Sequence, residues 1–333
     1  MRLRFFAAAA MLMSVSMLQA QESAPMKALV PAGVQTQQSH PKAVKPSKEN
    51  IYDESADAQA QIEAALARAS KNNRRVLIQW GANWCGWCRL LHGLCDSDPQ
   101  IKKKLNYEYD VVLVDIGRWD KNMLLAKFAG ADLKKHGVPF LTVLDSDGNV
   151  IANQDTGELE AKDAPSPGHD PAKVLAFLTK YQAAYPKAQE VLDQGLAAAT
   201  AEHKEVFLHF GAPWCGWCHR LEDWMARPEV AAILAKDFVD VKIDQDRTID
   251  AKTVFEKYCK NPGGIPWFCV LSSDGKIVCT SDGPGGNIGF PGQPAEIDHF
   301  VQMMTKAHKN MTQTDIAALR ESLEKDNKVA SGH

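Results

Sequence analysis

The sequence carries no excess of positive charge. Its 38 Lys and Arg stand against 41 Asp and Glu, a formal net charge of -3, and no long basic run occurs. Without that field there is nothing to draw in a nucleic-acid backbone or an anionic lipid surface, and no nucleic-acid partner is expected. Glycine and proline number only 22 and 17 in 333 residues, which excludes a collagen-like or low-complexity chain. Beyond the first twenty residues no hydrophobic stretch reaches spanning length, so a polytopic membrane protein is excluded too. The residue directly after Ala20 is Gln21 rather than cysteine, and a lipid anchor is not expected there.

At the N-terminus, Arg2 and Arg4 precede an apolar run from Phe5 to Leu18 and the small-residue site Leu18-Gln19-Ala20. This is the layout of a secretory signal, and the run is too short to cross a bilayer. Residues 1–20 are therefore expected to be a signal peptide, with an uncleaved anchor as the alternative. The mature chain is expected in an oxidising space, periplasmic or secreted, with no stable membrane insertion once the signal is cleaved. Residues 21–50, rich in Pro, Gln, Ser and Lys without apolar period, read as a flexible linker.

From there the sequence repeats itself. Val76 to Trp80 and Val206 to Phe210 are short apolar runs, and each leads into Gly-Ala-x-Trp-Cys-Gly-Trp-Cys, at Gly81 and Gly211. Both predict a buried strand feeding a helix. Each is followed by a second strand ending in Asp115 or Asp244, then Gly-Val-Pro139 or Gly-Ile-Pro266, then a hairpin turning at Ser-Asp-Gly 146–148 or 273–275. The offset is 130 residues at the cysteines and 127 at the prolines. One domain type is thus expected twice, at 51–183 and 184–311, each closing on a helix near 171–184 or 294–309. At 312–333 a C-terminal helix and tail is expected, capped by Thr314 and carrying Ile316, Leu319 and Leu323.

Eight cysteines are present, four of them in the two CGWC pairs. A C-x-x-C pair where a strand turns into a helix sets the first sulfur at the helix N-terminus, exposed and facing unpaired N–H groups, which lowers its pKa. Cys85 and Cys215 are then the candidate nucleophiles, and Cys88 and Cys218 the thiols that close the ring and release substrate.

The order strand, C-x-x-C, helix, strand, x-Pro and hairpin resembles the thioredoxin fold, and WCGWC resembles secreted thioredoxin-like disulfide oxidoreductases. The resemblance implies an α/β fold class, with two tandem thioredoxin-fold domains, each a central mixed sheet flanked by helices. It also implies that Pro139 and Pro266 are cis and face the cysteines, with Val138 and Ile265 beside them pairing with an extended substrate segment. Trp84 and Trp214 are expected on a shallow apolar substrate surface, with a core position as the bland alternative. Where thioredoxins carry a buried Asp that moves protons, six residues before the first cysteine, this sequence has Gln79 and His209. Gln79 cannot titrate, whereas a buried neutral His209 could accept the proton of Cys218.

Cys215-x-x-Cys218-His219 satisfies a haem-attachment pattern, but the first copy has Arg89 in place of His219. A four-cysteine zinc site would need pairs much closer than a whole domain apart. No cofactor is expected. Cys95 reads as a buried hydrophobe, and Cys269 and Cys279 as two buried strand thiols, a bridge across their hairpin being the alternative. His136 reads as a surface residue or a neighbour of Cys85. The expected activity is reduction or isomerisation of disulfides in disulfide- or thiol-containing proteins, with an unidentified redox partner. The competing class is a redox-inactive binding or chaperone module in which the cysteines staple a loop.

Overall fold

The computed structural model describes residues 50–162, 165–260 and 263–331; the expected signal and all but the last residue of the expected linker lie outside them. The first half runs α1 (Ala58–Lys71), β1 (Arg75–Gly81), α2 (Gly86–Ser97), α3 (Pro99–Glu108), β2 (Tyr109–Asp115), α4 (Met123–Phe128), α5 (Leu133–His136), β3 (Phe140–Leu144), β4 (Val150–Asp155) and α6 (Pro171–Tyr181). The second runs α7 (Ala188–Glu202), β5 (Glu205–Gly211), α8 (Gly216–Met225), α9 (Pro228–Leu234), β6 (Phe238–Asp244), α10 (Ala251–Tyr258), β7 (Trp267–Leu271) and β8 (Ile277–Thr280). A short ribbon of β9 (Asp282–Gly283) and β10 (Gly286–Asn287), then α11 (Pro294–Ala307) and α12 (Gln313–Ser331), complete it.

The sheets have the same order, β2-β1-β3-β4 and β6-β5-β7-β8. In each, the first pair is parallel and the other two antiparallel. The fold is therefore the mixed α/β thioredoxin fold, present twice. Alternation along β1 separates two cores. Val76, Ile78 and Trp80 pack with α1, while Leu77 packs with α2, α3 and α6 through Leu91, Ile101 and Phe177. Such burial contributes about 1.5–3 kcal/mol per large side chain. The hairpin turns are set by Gly148 and Gly275, at φ +84° and +81°, a region that side chains with a Cβ rarely adopt.

The helices α1 and α7, which open the two halves, were not anticipated from the sequence. Asp57 caps α1 by accepting from the backbone N–H groups of Gln59 and Ala60, and Ile62, Ala65 and Ala69 face the core. Their alanine-rich apolar face gives little contrast with the solvent side. A second correction concerns α12. Its cap is Thr312, not Thr314: Thr312 Oγ1 accepts from Asp315 N–H while the Asp315 carboxylate accepts from Thr312 N–H. Ile316, Leu319 and Leu323 do bury, against Trp224 and Leu234.

The halves meet through a buried ion pair. Arg247 Nε lies 3.1 Å from Glu108 Oε2, and both side chains are 5% exposed or less. Arg247 also donates to the carbonyls of Asn72 and Asn73, just past the end of α1. Tyr185 donates to the other Glu108 oxygen at 2.6 Å. Burial, with that carboxylate beside it, pushes the Tyr185 hydroxyl up to about 12.

Candidate functional site

Each CxxC pair lies where its strand ends and a helix begins, because the first cysteine is the N-cap. Cys85 Sγ accepts from Cys88 N–H at 3.0 Å, and Cys215 Sγ from Cys218 N–H at 3.1 Å. The pairs are closed as Cys85–Cys88 and Cys215–Cys218 disulfides, with Cα atoms 5.3 and 5.2 Å apart. Partial positive charge at the helix start favours a thiolate at the first position whenever the bond is opened. The first sulfurs were expected to be exposed, yet Cys85 and Cys215 are each 5% exposed. The loop before the cis proline covers them: Cys85 Sγ is 3.5 Å from the Val138 carbonyl oxygen, and Cys215 Sγ is 3.6 Å from that of Ile265.

The Val138-Pro139 and Ile265-Pro266 bonds are cis, so each proline brings the carbonyl before it onto the first sulfur. Trp84 and Trp214 are 48% and 62% exposed, which removes the core alternative. Trp84 donates to the Gly117 carbonyl at 2.6 Å, and Trp214 to the Asp246 carboxylate at 3.1 Å. Arg89 and His219 have equivalent tasks. The Arg89 guanidinium donates to the Asn83 carbonyl, and a His219 ring nitrogen lies 2.8 Å from that of Pro213. His136 pairs with Asp155 at 2.9 Å rather than with Cys85.

The second cysteines are backed differently in the two halves. In the first, Asn83 accepts from the N–H groups of Ile51 and Tyr52 and donates to the Tyr52 carbonyl. This clamp lays Tyr52 over the pair, where Gln79 donates to its hydroxyl at 2.7 Å. A methyl group on Gly81 would collide with both the Tyr52 hydroxyl and Cys88 Sγ. Burial raises the pKa of that hydroxyl. In the second half Pro213 replaces Asn83. His209 is buried as expected, but its Nε2 lies 3.0 Å from Asp240 Oδ1, an ion-pair contact misaligned for a hydrogen bond. The half-exposed Asp240 carboxyl is held below the usual range by its contact with His209 and by the nearby Lys71 and Lys242. His209 is thus directed at the neighbouring strand.

The central tryptophans differ as well. Trp87 meets the edge of His169 at 5.5 Å, and burial pushes that imidazole down to about 4. Trp217 instead stacks on Phe290 at 6.4 Å, with the Arg220 guanidinium above the Phe290 ring. Among the remaining cysteines, Cys95 is a half-buried thiol raised to about 12 by burial. Cys269 and Cys279 are free, because Cys269 faces Thr280 while Cys279 faces Val270. Neighbouring register positions point to opposite sides of a hairpin. Cys259 is a buried thiol at the end of α10.

Among known proteins, residues 57–146 match a family described as thioredoxin-like, and residues 173–325 match one described as a protein of unknown function, DUF255. Human spermatogenesis-associated protein 20 is 34% identical over 86 residues, which are 25% of this chain and 10% of that protein. The protein disulfide-isomerase erp38 of Neurospora crassa is 25% identical over 189 residues, 56% of this chain and 48% of that one. Among solved structures, a disulphide isomerase from Xylella fastidiosa Temecula1 is 30% identical with a TM-score of 0.35, covering 40% of this chain and 98% of its own. The chain spans about half, or only a tenth, of the length of these curated relatives. It contains a thioredoxin-like domain, followed by a segment of the second family, and both halves carry the thioredoxin fold with a CxxC disulfide at the same place.

Proposed function

We propose that the chain is a periplasmic or secreted thiol–disulfide oxidoreductase that reduces or isomerises protein disulfides through two CGWC centres without a bound cofactor. The observation that carries this reading is the repeated geometry: in both halves a helix-capping sulfur faces the carbonyl before a cis proline. Cys85 and Cys215 attack the substrate disulfide, and Cys88 and Cys218 resolve the mixed disulfide. Trp84, Val138 and Pro139, with Trp214, Ile265 and Pro266, form the two substrate surfaces, where an extended segment pairs with the exposed backbone. The functional units are 51–183 and 184–311. The secretory layout of residues 1–20 supports an oxidising compartment, where such pairs find disulfide- or thiol-containing proteins and a redox partner.

The test is reduction of a disulfide-bonded protein by the reduced full chain. C85S and C215S should each remove one centre, and the double variant should fall to the background rate. C88S and C218S should accumulate mixed disulfides with the substrate. If the parent itself does not exceed the background rate, the chain is a binding module whose cysteines are staples.

A further inference from the structure

Resolution of a mixed disulfide requires the second cysteine to lose a proton, and His209 is turned to Asp240 rather than to Cys218. A carboxylate lies beside the same point of β5 that Cys218 borders. A Cβ built on Gly211, the last residue of β5, would have Cys218 Sγ and Glu222 Oε1 each 3.5 Å away. Glu222 follows Cys218 by four residues on α8, so one helical turn puts carboxylate and thiol on the same face. The carboxylate is 11% exposed, and its other oxygen, Oε2, accepts from Lys242 Nζ on β6 at 2.8 Å. Lys242 donates in turn to Asn72 Oδ1 of the first half at 3.2 Å.

Among the described residues of the first half no such carboxylate–ammonium pair stands behind Cys88. His92 holds the helix position and lies 3.2 Å from Asp96, while Leu113 replaces Lys242 on the strand. The charged partner shown at Glu222 is Lys242 on β6, and near Lys242 stands Asp240 on the same strand, which contacts His209 on β5. Lys71, at the end of α1, adds its charge near Asp240.

We propose that Glu222 is the proton acceptor of Cys218, with Lys242 and Asn72 as positioning residues that hold its carboxylate. The proposal rests on the oxidoreductase reading above. With substrate sulfur bonded to Cys215 Sγ, Glu222 Oε1 takes the Cys218 thiol proton, and the resulting thiolate attacks Cys215 Sγ. The Cys215–substrate bond breaks as the Cys215–Cys218 bond forms. The substrate sulfur leaves as a thiolate and is protonated by Glu222 or water. The substrate disulfide has gained two electrons and the protein dithiol has lost them.

The experiment uses the full chain with the first centre silenced by C85S and C88S. Single-turnover mixing with a disulfide peptide reads resolution, and the same mixing with C218S added reads attack by Cys215. E222Q, which keeps shape and a partner for Lys242, should slow resolution about 100-fold at pH 7. The deficit should narrow as pH rises toward the ordinary thiol range, where hydroxide does the same work. Attack should be unchanged. E222D should recover part of the rate, and N72A should lose less than E222Q, because Lys242 keeps its ion pair. Resolution by E222Q at the parent rate, or a deficit equal at every pH, overturns the proposal. A parent that never forms the mixed disulfide overturns instead the reading on which it rests.

Discussion

The two halves share sheet order, helix start and the four residues CGWC, yet differ in what lies behind the second cysteine. The divergence begins with one side chain. Asn83 clamps residues 51 and 52 and so lays a tyrosine hydroxyl over Cys88, whereas Pro213 has no side-chain donor or acceptor and the space at Cys218 goes to a carboxylate–ammonium pair. The difference continues into the core. Between α2 and its sheet the first half has a cavity of about 270 Å³ lined by Leu77, Cys95, Leu113 and Leu141. The second half has Phe207, Met225, Lys242 and Phe268 at the corresponding places. Identical motifs therefore sit in unlike surroundings, one apolar with a hard-to-ionise hydroxyl and the other packed and charged. Chemistry at such a pair depends on those surroundings as much as on the motif.

Three changes test the comparison, beginning with the contact that joins its terms. R247M leaves the Glu108 carboxylate buried without its cation and should destabilise the protein by about 3–5 kcal/mol. Denaturant unfolding followed by tryptophan fluorescence should then separate into two transitions. A single transition at the parent midpoint would show that the halves do not depend on this pair.

H169F gives the first half the aromatic partner that Phe290 supplies in the second. The parent's His169 is depressed from its usual 6.5 to about 4, so between those pH values the unfolded chain binds a proton that the folded chain refuses. Its stability should fall as pH drops through this window and level off below it, by about 3 kcal/mol in all. H169F should lack that part of the acid sensitivity, and an unchanged pH profile would place its origin elsewhere. The smallest effect is expected of L141F, which puts a ring where the second half has Phe268. Filling part of the cavity should stabilise by about 1 kcal/mol, read as a higher denaturant midpoint at constant slope. Destabilisation would mean that the wall cannot accept a ring.

Much of this was legible in the sequence. The apolar runs before each WCGWC, the Ser-Asp-Gly turns and the repeat offset locate β1, β5 and both hairpins, because these signals are local. The thioredoxin resemblance supplied the cis prolines. Tyr52 was not legible, since only the folded chain brings it to Gln79, 27 residues away. Glu222 was half legible: its spacing from Cys218 is a helical turn, but Lys242 reaches it from another strand. His209 was read by analogy with a family position, and Asp240 on the adjacent strand redirected it. The sulfurs that local geometry left exposed are covered by a loop some fifty residues further on.

The Arg247 contact bears on how the protein is made. The carbonyls past the end of α1 and the carboxylate ending α3 receive their cation from a residue 139 positions beyond Glu108. A chain emerging N-terminus first at about 5–20 residues per second exposes the whole first half for several seconds before Arg247 exists. Over that interval the nascent half holds two carbonyls past a helix end and a carboxylate that must stay wet, so it can close its sheet before it can dry this edge. Biogenesis thus passes through a first half finished on one side and open on the other, sealed only when its own successor is built.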